Sequence, residues 1–158
     1  MKIQKLILLT FTHVSMLACG FAIGVYVLPI LTAPPSPSVS DIKAVSIQAD
    51  YKTEFIRELK GSDALHWGEG NVSLNENYVT LLGKLAPGPK YKLYLSPEFV
   101  ETEAEFERLK PTMKLVGDVN TFDNFMVKVE SGIKLSQYNT VVVWCEAFGE
   151  FITSAKYR

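Results

Sequence analysis

The pattern of polar and apolar positions breaks first at Leu6. From there to Leu31 no Asp, Glu, Lys or Arg occurs, and Lys2 and Lys5 stand just before the run. As a helix, residues 6–28 would extend roughly 35 Å at about 1.5 Å per residue, enough to cross a hydrocarbon core of roughly 30 Å. A cleavable signal peptide has a shorter apolar stretch, about 7–15 residues, ending in a small-x-small site, and Leu31-Thr32-Ala33 matches that site poorly. Met16-Leu17-Ala18-Cys19 has the outline of a lipidation box, but the mostly apolar residues that continue to Leu31 leave no polar tether behind Cys19. The pattern therefore predicts a retained transmembrane anchor over residues 6–31. Residues 1–5 form its cytoplasmic n-region, because lysines flanking a span stay on the cytoplasmic side, and the rest of the chain faces outward. His13, inside the span, has no charged companion and reads as a tolerated polar residue.

Beyond the anchor, Ala33-Pro34-Pro35-Ser36-Pro37-Ser38 opens a Pro/Ser-rich linker, residues 32–49, whose composition predicts an extended, semi-rigid tether holding the domain off the bilayer. Over residues 50–61, Tyr51, Phe55, Ile56 and Leu59 fall at helical spacing with charges on the other face and Gly61 at the end, which predicts a short amphipathic helix. From Asn71 the pattern changes to short apolar runs between turn residues. It predicts strands at 71–74, 78–82, 91–95, 114–119, 125–129, 140–144 and 151–156. Asn75-Glu76-Asn77 suits a hairpin turn, and Pro87-Gly88-Pro89 cannot continue a strand. One helix interrupts the series, with Thr102-Glu103-Ala104-Glu105 as its capping box and Pro111 near its end. The acidic residues at its start favour the positive end of the helix dipole, which explains them without a ligand. The predicted fold is mostly β: a sandwich or barrel-like domain with one or two short helices, preceded by a single N-terminal transmembrane helix.

Composition changes this picture in two respects. Residues 41–158 hold all 17 acidic side chains and 14 of the 16 basic ones, a mildly acidic balance of about −3. No Lys/Arg cluster longer than two residues occurs, so the concentrated basic surface that neutralises phosphates is missing and nucleic acid is excluded as a partner. Cysteine is scarce: Cys19 lies in the span and Cys145 near the C-terminus, so the outer domain has no internal disulfide and Cys145 is a lone thiol.

Cys145 ends the run Thr140-Val141-Val142-Val143-Trp144-Cys145, the pattern of a central strand buried on both faces. It reads either as a small core hydrophobe or as a redox thiol or cofactor ligand near the strand end. A neighbouring carboxylate, Glu146, would raise its pKa and weaken it as a nucleophile. The other candidate is His66, the only histidine outside the span, set in Leu65-His66-Trp67-Gly68-Glu69-Gly70. One Cys and one His make a poor zinc set. CxxCH is absent, which excludes covalent haem; non-covalent haem with Cys145 or His66 as axial ligand is compatible with the sequence. GxSxG and HExxH are absent, so a Cys145–His66 pair would be the only nucleophilic arrangement and no independent catalytic activity is expected. Asn71-Val72-Ser73 is a formal glycosylation sequon, relevant only in a eukaryotic secretory pathway.

The C-terminal stretch YNTVVVWCEAFGEFITSAKYR resembles the closing signature of the DM-thirteen domain, also called electron-transfer DM-thirteen and associated with DOMON domains. Tyr138, Val142, Trp144, Cys145, Phe148, Phe151 and Ala155 stand at its pattern positions, with Thr140 in place of the usual Ser. His66 with Gly68 and Gly70, the strand from Tyr91 to Ser96, and Val116-Gly117-Asp118-Val119 are similar to the family's upstream elements. The resemblance covers about residues 62–158 and implies a bacterial inner-membrane protein whose domain faces the periplasm. It further implies an electron-transfer role in which Cys145 acts as a free thiol or as ligand to a group such as haem, with a separate redox partner protein. The rival expectation is a non-catalytic binding or envelope-structural module with Cys145 in the core.

Overall fold

The computed structural model describes residues 2–158. Helix α1 runs from Lys2 to Thr32 with Pro29 in its last turns, and none of its residues is buried. A helix that is apolar all round with no buried residue suits lipid as its solvent, and α1 is long and apolar enough to cross a membrane.

Eight antiparallel strands follow, forming two four-stranded sheets. One sheet has the order β1 (Tyr51–Phe55), β2 (Gly68–Leu74), β3 (Tyr78–Leu85), β6 (Asp123–Lys128). The other has the order β5 (Lys114–Val119), β4 (Tyr91–Ser96), β7 (Thr140–Cys145), β8 (Glu150–Lys156). The inward positions of both sheets, among them Val72, Leu81, Phe125, Leu93, Val143 and Ile152, merge into one buried cluster, so the sheets stack as a sandwich. All seven runs read from the sequence are strands, several longer by one to three residues.

The unbroken apolar run of β7 has a structural reason. Val141, Val143 and Cys145 face the core between the sheets, while Val142 and Trp144 lie under helix α3 (Glu103–Leu109) on the outer face. There the Phe106 ring stacks on Trp144 at 3.9 Å between centroids and 9° between planes. Thr102 caps α3 as its sequence predicts, its hydroxyl accepting from the Glu105 N–H at 3.3 Å. The capping-box partner is displaced by one residue, because the Glu105 carboxylate accepts from the Glu101 N–H at 2.7 Å.

Two expectations fail. Residues 50–61 are not an amphipathic helix: Tyr51–Phe55 forms β1, paired residue for residue with Leu74–Gly70 of β2. Tyr51 and Phe55 share a face in either geometry, since four residues apart satisfies both periods. The open edge of β2 decides in favour of a strand, burying Phe55 to 1% exposure and leaving Ile56 out at 44%. The linker, residues 32–49, is not a free tether either. It contains helix α2 (Val39–Ser46), capped by the Ser38 hydroxyl, with Ile42 fully buried against the sandwich. The Asn124 amide also donates to the Pro37 carbonyl at 3.3 Å. The chain after α1 is therefore docked on the domain, and α1 itself borders it.

Candidate functional site

Cys145 sits at the end of β7, opposite Tyr91 of β4 on one side and Glu150 of β8 on the other. A register shift beside it leaves Ile152 unpaired between Phe151 and Thr153, the local irregularity typical of strand ends next to sites. The loop from β3 to β4 closes over this end. A Cβ on Gly88 would lie 2.4 Å from the Tyr91 hydroxyl oxygen, so only glycine lets the loop pass over that ring. Lys90 then adopts φ 53°, a left-handed conformation costly for a residue with a Cβ, and its carbonyl accepts from the Glu146 N–H at 3.1 Å. This closure presents the Pro89 carbonyl to Cys145, whose Sγ donates to it at 3.2 Å.

Cys145 is 3% exposed. Burial pushes its thiol above the ordinary value of 9.0; backbone N–H groups of Phe148 and Ala147 oppose the rise, and the Glu150 and Glu146 carboxylates add to it. It is a neutral thiol at neutral pH, not a nucleophilic thiolate. Tyr91, 2% exposed and packed edge-on against Phe122, is also held protonated, first by burial and then by the neighbouring Cys145 and Tyr26.

His66 lies on the loop before β2. Its Nδ1 is 3.0 Å from Oδ2 of Asp63, while Oδ1 of the same carboxylate accepts from the N–H groups of Leu65 and His66 at 2.7 and 2.8 Å. Burial alone would raise the Asp63 pKa, but the His66 ring and these two N–H groups hold it below its usual value. An ionised carboxylate only accepts, so Nδ1 carries the hydrogen that bonds Asp63, and the acceptor nitrogen of the neutral tautomer is Nε2.

Cys145, His66 and Tyr91 border one apolar cleft of about 680 Å³. Phe21, Ala22, Ile23 and Tyr26 of α1 form its far wall, and Leu65 and Phe148 stand at its margin. The two sequence-predicted residues thus share one cavity. They are not hydrogen-bonded to each other, since Sγ is committed to Pro89 and Nδ1 to Asp63, so the Cys–His nucleophilic pair is not formed. Tyr91 and the α1 wall escaped the sequence reading. The register of two strands brings Tyr91 beside Cys145, and only the docked linker brings α1 alongside. Among the described residues no group of three or more His, Cys, Asp and Glu side chains is arranged to hold a metal ion, and Cys19 and Cys145 are both free.

On the opposite face of β7, Glu146 accepts from the Tyr94 hydroxyl and from Lys110 Nζ at 3.1 Å, and Lys110 lies 5.6 Å from the Phe106 ring and 5.9 Å from that of Trp144. This cluster ties α3 to the sheet and faces away from the cleft.

No curated protein and no solved structure matches the chain. The family model described as electron transfer DM13 matches residues 54–157, which take in nearly all of the sandwich with Cys145, His66 and Tyr91. With more than half of its length matched by that model, the chain belongs to the electron transfer DM13 family.

Proposed function

We propose that the protein is a single-pass membrane protein that keeps Lys2 and Lys5 in the cytoplasm, crosses the bilayer within residues 6–31, and carries an electron-transfer domain on the far side. The orientation follows from the two lysines at one end of α1. The redox role is supported by the family and by one observation above the others: the thiol, the oriented imidazole and a protonated tyrosine converge on a single apolar cleft. A few convergent polar groups in an apolar concavity are the usual form of a small-molecule or cofactor site.

Of the two residues proposed as haem ligands, His66 is the better placed, because it is already oriented while Cys145 is bonded to a carbonyl. The Asp63 carboxylate orients the His66 ring and leaves Nε2 available, the second-shell arrangement of ligating histidines. Ligation by Cys145 would displace its hydrogen bond to the Pro89 carbonyl, with the metal ion itself driving loss of the thiol proton. Cys145 serves instead as a neutral thiol in the cleft wall. When bound, a haem or comparable group would supply the one-electron chemistry, and the chain would supply an oriented imidazole, an apolar surround and exclusion of water. A redox partner protein is part of this reading.

The test is a stepwise reductive titration of the full chain in detergent, followed by absorbance through the near-ultraviolet and visible. A reversible change that is lost in His66→Ala and kept in Cys145→Ser is expected. Absence of any reversible change favours the second reading, a binding module with a core thiol, to which the burial of Cys145 lends specific support.

A further inference from the structure

The cleft beside Cys145 has a wall that is not part of the sandwich. A hydrocarbon core of roughly 30 Å counted from Leu6 at about 1.5 Å per residue ends near Val25, so the α1 residues lining the cleft, Phe21 to Val27, straddle the outer boundary of the bilayer. The sandwich contributes two large apolar side chains to the same margin, Leu65 at 57% exposure and Phe148 at 54%. Apolar side chains so exposed beside a membrane helix meet lipid rather than water.

We infer that the cleft binds a membrane-soluble quinone, which enters sideways from the lipid with its tail along α1 and its ring at the Tyr91 and His66 end. The inference depends on α1 spanning the membrane and deepens the electron-transfer reading by naming a quinone, in place of haem, as the redox group of this cleft. The lining selects for a neutral head group: it contains no Lys or Arg, and its one acidic residue, Glu150, disfavours a lipid phosphate. Its donors are neutral. The Tyr91 side chain is 2% exposed, its hydroxyl forms no hydrogen bond with any described residue, and the group is held protonated, ready to donate to a carbonyl. With Nδ1 of His66 on Asp63, Nε2 is the acceptor nitrogen of the neutral tautomer and complements Tyr91 by accepting from the hydroxyl of the reduced form. A volume of about 680 Å³ suits a substituted ring with the start of its tail.

The test uses the full chain in lipid nanodiscs with an azido-benzoquinone bearing a ten-carbon tail, its ring fully substituted so that thiols do not add to it. Photolabelling mapped by mass spectrometry is expected in the segments 21–27 and 87–91. Excess unreactive quinone of the same tail should compete for this labelling, and decanol should not. Ala22→Trp, which fills the cleft from the helix side, is expected to abolish the competed labelling without shifting thermal unfolding of the sandwich. Tyr91→Phe keeps the ring and should weaken competition about fivefold through the lost hydrogen bond. Labelling that decanol competes equally well, or that Ala22→Trp leaves unchanged, overturns the inference. Quinone binding without a reversible redox change would retain this site and remove the electron-transfer reading; a redox change without competed labelling would do the reverse.

Discussion

Cys145 combines two properties that pull apart in most redox thiols: it borders a cavity, yet its sulfur is hydrogen-bonded to a carbonyl and its proton is retained. A group whose folded pKa is raised above its unfolded value of 9.0 favours folding less as pH rises past that value, because the unfolded chain releases the proton first. Stability in urea is therefore expected to fall above pH 9, and the fall should be shallower in Cys145→Ala, although Tyr91 and Tyr157 contribute to it at higher pH. The same substitution should cost roughly 1–2 kcal/mol at neutral pH through lost packing. An unchanged alkaline slope in Cys145→Ala would show that the thiol is not what titrates. The apolar run ending in Trp144-Cys145 made the burial of this residue legible in the sequence, and Glu146 signalled the direction of the pKa. The Pro89 carbonyl was not legible, because it reaches Cys145 only through the closure of a loop fifty-six residues away along the chain.

At the level of elements, the strands with strict apolar runs were readable because their side chains pack on both sheet faces or alternate cleanly. β1 was not readable. Tyr51 and Phe55 fit a helix and a strand equally well, and the deciding contribution is the backbone edge of β2, which local pattern does not contain. The two geometries make opposite forecasts for adjacent residues. Phe55→Ala should cost about 3–5 kcal/mol and Ile56→Ala no more than roughly 0.5 kcal/mol in chemical denaturation, since Phe55 is in the core and Ile56 is half exposed. A helix over 50–61 would have made both residues part of one apolar stripe with comparable costs. α2 was hidden for another reason: its signal, Ser38 with Asp41 three residues on, sits directly behind three prolines, and its only fully buried side chain is Ile42.

For the molecule as a whole, the large core cluster contains no residue of α1. A chain beginning at Ala33 should accordingly unfold cooperatively in solution with its sandwich intact. Cys145 should then react faster with a thiol reagent than in the full chain, because one wall of its cleft has been removed. Equal reactivity would mean that α1 does not shield the cleft. Cys145 and His66 could be named from residue type and pattern, but their common cavity depends on α1 and the β3–β4 loop meeting at one end of the sandwich, a matter of long-range packing. With the lateral entry proposed above, that meeting also sets the kind of concentration to which the cleft responds. A pocket open to solvent fills according to the amount of ligand per volume of water, whereas one entered between a membrane helix and the domain it carries fills according to the mole fraction of ligand in the surrounding leaflet. Dilution with buffer should then leave its occupancy unchanged, and added lipid should empty it.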